Sequence, residues 1–173
     1  MLFGTEAFEI QVLNFIQDVF GCSFMDFFMY IFSVVGNGGM LWIVTALCLI
    51  CTKKYRKSGI LILLCLLAGL LIGNLAIKPL IQRPRPCWIE PKKLLMIPNP
   101  TDFSYPSGHT LSSFISAFIL LKTDKRLGIS ALVVAGLIAF SRLYLFVHFP
   151  TDVLSGILLA WLISLPAVKS LKK

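Results

Sequence analysis

The sequence is short of charge. Charged residues fill 14% of its 173 positions, against roughly 25% in an ordinary soluble domain. Hydrophobic residues make up 57%, and the mean hydropathy is +0.86. So few charges could not cover a water-soluble fold of this length, so the bilayer is the natural solvent. Acidic residues are scarcest, 8 against 16 Lys and Arg. A hydrolytic two-metal site needs several carboxylates or histidines close together. Asp152, Asp102 and Glu90 are the only acids near the chemistry-bearing segments, so no catalytic metal and no cofactor are expected. The five cysteines (Cys22, Cys48, Cys51, Cys65, Cys87) follow no disulfide or metal framework. Cys48 and Cys51 form a C-x-x-C inside an apolar run, and all five are read as small buried hydrophobes. A basic n-region is also missing: Met1 to Phe20 carries Glu6, Glu9 and Asp18, so no cleavable signal peptide is expected.

The basic residues are not spread as a nucleic-acid binder would spread them, despite a net charge of +8. They form three clusters: Lys53, Lys54, Arg56 and Lys57; Lys122, Lys125 and Arg126; Lys169, Lys172 and Lys173. Each flanks a hydrophobic run, the arrangement that the positive-inside rule expects of cytoplasmic loops. A nucleic-acid partner is therefore not expected. The segments Lys78–Tyr105 and Phe146–Pro150 then fall on the opposite, extracytoplasmic side.

Crossing the hydrocarbon takes about 20 helical residues. Ser58 to Ile77, Leu127 to Val147 and Thr151 to Val168 fit, the last ending near Pro166. Ser107 to Leu121 is a shorter helix. Ser23 to Cys51 is long enough for one span but is interrupted at Gly36-Asn37-Gly38-Gly39, which reads as a broken span or a re-entrant hairpin. Glu6 to Phe20 places Phe8, Val12, Phe15, Ile16 and Val19 at helical spacing against Glu9, Gln17 and Asp18. That pattern predicts an amphipathic helix lying in the interface, with a sixth span as the alternative. The expected fold is all-α, a polytopic transmembrane bundle of about five to six spans forming a single domain over residues 1–173.

Three separated segments carry the chemistry, and the topology brings them to one face. Lys78 and Arg85-Pro86 lie in the first, Pro106-Ser107-Gly108-His109 in the second, and Ser141-Arg142, His148 and Asp152 in the third. Lys78, Arg85 and Arg142 stand on the side that should be poor in cations, and Arg142 lies within an apolar run, where an ionisable group marks function by default. Three cations suit a multiply charged oxyanion. Arg83, which precedes Pro84, is read as a solvated loop charge, with substrate contact as the alternative. Ser107 is a natural N-cap and Gly108 allows close approach, so the helix start offers backbone N–H groups to an anion. His109 and His148 are the only two histidines, and Asp152, near His148, could fix its tautomer.

The three segments, taken together, resemble the signatures of the type 2 phosphatidic acid phosphatase superfamily of membrane lipid phosphatases: K-x6-R-P, P-S-G-H and S-R-x5-H-x3-D. All three match without substitution and in order, over about Ser58 to Leu165, the signature core at residues 58–165. The resemblance implies His148 as a nucleophile forming a phosphohistidine, Asp152 as the group that orients it, and His109 as the general acid. Lys78, Arg85 and Arg142 would bind the phosphoryl oxygens, helped by Ser107 and the backbone at Gly108. The implied substrate is a membrane phospholipid or polyprenyl phosphate: phosphatidylglycerol phosphate, phosphatidic acid or undecaprenyl diphosphate, with a lipid A phosphate as an alternative. A non-catalytic lipid-binding protein on the same scaffold is a second alternative. Several undecaprenyl diphosphate phosphatases of the family carry Asp where this chain has Gly108, which leans toward a glycerolipid or a broad-specificity enzyme. The loop from Trp88 to Tyr105 is expected to help choose the substrate. The implied location is a bacterial inner membrane, with the site facing outward. Oligomeric state is left open.

Overall fold

The computed structural model describes residues 4–171. Lys172 and Lys173 of the third basic cluster lie outside the described residues. Helix α1 (Glu6–Phe20) is followed by α2 (Ser23–Val35), a 3-10 turn (Asn37–Gly39) and α3 (Met40–Cys51). Helix α4 (Arg56–Gly69) continues into a π-helical stretch (Leu70–Ile77) and the single turns α5 (Lys78–Ile81) and α6 (Pro86–Ile89). A long loop then leads to α7 (Gly108–Thr123), α8 (Lys125–Tyr144) and α9 (Pro150–Ser170).

Among the described residues, three helical stretches are long and apolar enough to cross a membrane: 56–89, 125–144 and 150–170. Helices α2 and α3 make a fourth if taken as one span bent by 46°. The bend falls at the expected glycines: Gly38 and Gly39 have φ of +59° and +68°, a region that costs an L-residue steric strain and glycine none. At 16 residues, α7 is short, and it forms the axis of the bundle. Leu111, Ile115, Ala117, Ile119 and Leu120 of α7 pack into one core with Trp42, Ile62, Ala135 and Ala160. Lipid is as apolar as leucine, so close packing must hold such helices together. Gly59 lets α4 approach α3, since a Cβ there would lie 2.5 Å from the Ala46 carbonyl oxygen.

The outward faces are apolar, as a lipid-facing surface requires: Phe8, Phe15, Phe24, Phe27, Leu64 and Val133 are exposed. Helix α1 spans the expected residues, with two of its acids turned inward: Glu6 and Glu9 are buried, while Asp18, Phe8 and Phe15 face out. The expectation for the cysteines holds at Cys65 and Cys87 and fails at Cys22, Cys48 and Cys51, which are exposed. Their small thiol side chains sit on surfaces that face outward with the exposed leucines and phenylalanines. Helix α9 runs through Pro166 to Ser170 instead of stopping near it, a continuation that membrane helices tolerate when neighbours satisfy the released carbonyl.

The basic loops meet at one end of the bundle. Tyr55 Oη donates to Asp124 Oδ2 at 3.3 Å, Thr123 Oγ1 to Ser58 Oγ at 2.8 Å, and Lys57 Nζ to the Ser170 carbonyl. The signature residues gather at the other end.

Candidate active site

The first wall of the site comes from the end of the α4 stretch. Its π-helical turns widen the backbone, a feature common at functional sites. Gln82, with φ of +50°, then reverses the chain. Arg85 is extended, with φ of −83° and ψ of 155°, as a residue before proline must be. Lys78 and Arg85 are both buried. Each meets Asp102 of the long loop: Lys78 Nζ donates to Oδ2, Arg85 Nη2 to Oδ1 at 2.6 Å, and Arg85 Nε to the Asp102 carbonyl at 2.7 Å. Partial burial works to raise the Asp102 pKa, but the Lys78 hydrogen bond and the Arg85 and Lys78 charges outweigh it and bring it down to about 2.

The second wall is the start of α7. Ser107 caps the helix as expected, its Oγ accepting from Thr110 Oγ1 at 2.9 Å and, more weakly, from Thr110 N at 3.5 Å. Its own N–H donates to the Asp152 carbonyl at 3.2 Å, tying α7 to α9. A Cβ on Gly108 would stand 3.0 Å from Asn74 Oδ1, so Asn74 of the π-helical stretch packs closely against this turn. His109 Nε2 lies 2.9 Å from Asn37 Oδ1, in the break between α2 and α3.

The third wall runs from α8 into α9. Arg142 is buried, donates from Nη1 to Ser33 Oγ, and has no hydrogen-bond partner at Nε among the described residues. Its carbonyl accepts from the N–H groups of Val147 and His148, at 3.2 and 3.3 Å, folding the segment back on itself. The fold requires a φ of +59° at Phe146, a strained position for a bulky residue that costs about 1–3 kcal/mol. The Phe146 ring is fully buried with Leu13 and Phe149, which holds it there.

His148 is thereby pinned between opposite charges. Its Nδ1 lies 3.4 Å from Asp152 Oδ2 and its Nε2 lies 3.1 Å from Arg85 Nη1. With an acceptor carboxylate at Nδ1 and the Arg85 donor at Nε2, the setting suits a proton on Nδ1 and a lone pair on Nε2 that faces Arg85 at the cavity wall. Burial holds the ring's pKa well below its ordinary 6.5, and the charges of Arg85, Arg142 and Lys78 act in the same direction. Asp152 is saturated: Oδ2 also accepts from Phe149 N at 2.8 Å and from Ser104 Oγ, and Oδ1 accepts from Arg83 Nη1 at 2.6 Å.

These walls enclose a cavity of about 780 Å³ whose lining includes Lys78, Arg85, Gly108, His109, Arg142 and His148. Of the residues singled out in the sequence, Asp152 stands behind His148 and Ser107 supports the α7 turn, and neither lines the cavity. Ser141 faces inward and donates to the Ile138 carbonyl at 2.7 Å. The reading of Arg83 as a solvated loop charge is wrong. Arg83 is wholly buried, because two carboxylates, Glu9 and Asp152, neutralise it. Sequence reasoning also overlooked Asn37, Ser104 and the pairing of Asp102 with the cations. The one available signal was a polar residue inside an otherwise apolar or glycine-rich stretch, as at Asn37 and Asn74. Among the described residues no three His, Cys, Asp or Glu side chains stand together as a metal site.

Comparison with known proteins agrees with this geometry. Residues 58–173 match the model of the PAP2 superfamily. An undecaprenyl-diphosphatase of Sulfolobus acidocaldarius is 39% identical over 75% of this chain and 63% of its own length. Phosphatidylglycerophosphatase B of Bacillus subtilis is 36% identical over 63% of this chain and 57% of its own. The chain thus spans less than two thirds of the length of these relatives. The crystal structure of a transmembrane PAP2 type phosphatidylglycerolphosphate phosphatase from Bacillus subtilis superposes with a TM-score of 0.77 at 25% identity, covering 97% of this chain and 86% of that one. Aquifex aeolicus LpxE shares the fold, with a TM-score of 0.79 at 24% identity over 92% of this chain and 93% of that one.

Proposed function

The chain belongs to the PAP2 superfamily of membrane proteins, and on that premise we propose that it hydrolyses the phosphate of a membrane lipid through a phosphohistidine on His148. The observation that carries the proposal is the convergence of Lys78, Arg85, Arg142, His109 and His148 on one cavity. Phosphoryl transfer needs positioned groups and stabilised oxygen charge more than it needs covalent machinery. The three cations supply the charge, and Arg142 offers its unpartnered Nε to an incoming oxygen.

In the first step the Nε2 lone pair of His148 attacks phosphorus. The P–N bond forms as the bond to the leaving lipid oxygen breaks. His109 protonates that oxygen, and Asp152 stabilises the imidazolium through Nδ1–H. In the second step water gives a proton to His109 as it attacks the phosphohistidine and the P–N bond breaks, releasing inorganic phosphate and restoring both histidines. Asp102 holds Lys78 and Arg85 in the absence of substrate, and the lipid phosphate exchanges for it as the ligand of these cations. No metal enters either step, since the protein's own cations fill that role.

The names of the relatives bring polyprenyl diphosphates and phosphatidylglycerol phosphate forward as substrates. Gly108, where several undecaprenyl diphosphate phosphatases of the family carry Asp, leans toward a glycerolipid or a broad-specificity enzyme. Residues 97–102 of the long loop line the cavity, which supports its role in substrate choice. The basic loops gathered at the opposite end support an extracytoplasmic site in a bacterial inner membrane. The reading is tested by phosphate release from phosphatidylglycerol phosphate, phosphatidic acid, undecaprenyl diphosphate and lipid A, ranked by kcat/KM on the purified protein. Turnover of at least one supports it. No turnover of any by well-folded protein would favour the lipid-binding alternative.

A further inference from the structure

The wall behind His148 contains a charge network that no family signature includes. Arg83 is fully buried. Its Nη1 donates to Asp152 Oδ1 at 2.6 Å and to Thr151 Oγ1 at 2.7 Å, and its Nη2 donates to Glu9 Oε2 at 2.5 Å. Its guanidinium carbon lies 4.1 Å from the centre of the Phe149 ring. Glu9 belongs to α1, outside the residues 58–173 that match the family. Its Oε1 accepts from Thr151 N at 2.8 Å and from Thr151 Oγ1 at 2.7 Å, and its Oε2 also accepts from Thr5 Oγ1 at 2.9 Å. Glu9 thus grips the first turn of α9 and the arginine that holds Asp152, one residue further along.

We propose that Glu9 and Arg83 are positioning residues for the nucleophile: the α1 carboxylate orients Arg83, Arg83 fixes Asp152, and Asp152 fixes the tautomer of His148. The inference rests on the reading of His148 as the nucleophile. A buried arginine between two carboxylates is costly to desolvate, and removing one partner leaves an uncompensated buried charge. Such a network is a poor device for stability alone, because well-packed apolar residues would do as well. Here it places a planar fork whose two ends touch different helices, which Lys could not reproduce. The groups facing His148 from every side are Arg85 and Lys78 from the α4 stretch, Asp102 from the loop, His109 from α7, Arg142 from α8 and Asp152 from α9. Burial and the cations disfavour the imidazolium. Among the described residues Asp152 is the carboxylate at its Nδ1 side, 3.4 Å away, while Arg85 Nη1, which can only donate, faces Nε2 at 3.1 Å. The setting of Asp152 thus supplies the acceptor that the Nδ1–H form needs.

The test uses the full chain in lipid nanodiscs, with Glu9→Gln and Arg83→Met. Glu9→Gln is nearly isosteric and keeps a carbonyl acceptor for Thr151 N, so it remains informative if Arg83→Met fails to fold. The expected kcat falls by about a hundredfold for Arg83→Met and about tenfold for Glu9→Gln, the range seen when a group supporting a functional imidazole is removed, with KM within about twofold. The second readout needs no turnover. Nitrogen-15 NMR of the two imidazoles at neutral pH, assigned with His148→Ala, should show His148 as a single Nδ1–H tautomer in the wild type. In the variants it should become a mixture with the Nε2–H form. Retention of the wild-type tautomer in both folded variants would overturn the proposal. So would KM rising in proportion as kcat holds. Failure of every lipid as a substrate would defeat the hydrolytic reading alone, and the tautomer would still decide on the network.

Discussion

Two carboxylates flank the same cluster of cations under opposite conditions. Asp102 stands at the mouth on a loop, its side chain 56% exposed, and bridges Lys78 and Arg85. Asp152 stands at the back on the first turn of α9, fully buried, and is held by Arg83, Ser104 and the Phe149 N–H. Water screens the pairs at the mouth and can replace them, so their net worth is small. The pairs at the back have no such substitute. One site thus contains a loose anion placeholder and a rigid brace. Charge alone does not tell them apart; solvent access and the element that carries each carboxylate do.

The comparison is broken most strongly at the back. Asp152→Asn should lower kcat by about 10³-fold or more, as removal of a carboxylate that sets an imidazole tautomer does, with little change in KM. A loss mainly in KM would show that Asp152 does not act through His148. Asn37→Ala should cost about tenfold in kcat, because the Asn37 carbonyl oxygen at 2.9 Å orients the His109 ring and one hydrogen bond is worth about 1 kcal/mol or more. An unchanged kcat would free His109 from that support. Asp102→Asn should lower KM by about two- to fivefold and leave kcat nearly unchanged, since it removes a competing anion that is itself screened. A fall in kcat instead would make Asp102 part of the reacting centre.

The pH profile sharpens the same contrast. His148 must be neutral to attack, and its pKa lies well below 6.5. The acid limb of kcat/KM should therefore fall below pH 6.5, with activity retained as pH rises above it. Burial and the charges of Arg142, Arg85 and Lys78 hold His109 down at about 3 in the absence of substrate. It can donate only once the bound phosphate's charge raises it, so the basic limb, from loss of that proton, should appear in kcat. Asp102, at about 2, stays ionised throughout and adds no limb at neutral pH. A rate that rises monotonically from pH 4 to 10 would contradict two histidines in opposed roles.

Much of this was legible in the sequence, for identifiable reasons. Apolar runs bounded by basic clusters marked α4, α8 and α9, and the glycine pair marked the bend before α3. Ser107 could be read as a cap because its local chemistry leaves few alternatives. Arg83 was misread because its partners lie far along the chain, at Glu9 and Asp152, and sequence spacing carries no information about such pairs. The same applies to α1, where hydropathy showed two faces but could not show that Glu6 and Glu9 turn toward the protein while Asp18 faces out. Asp102 looked like a stray loop acid for the same reason.

The central claim is that His148 carries the phosphoryl group without help from a metal. The most direct measurement is phosphate release from the four lipids with EDTA present, comparing the wild type with His148→Ala. The account predicts release by the wild type and none above background by the variant. Release that requires added metal, or that persists in the variant, would contradict it.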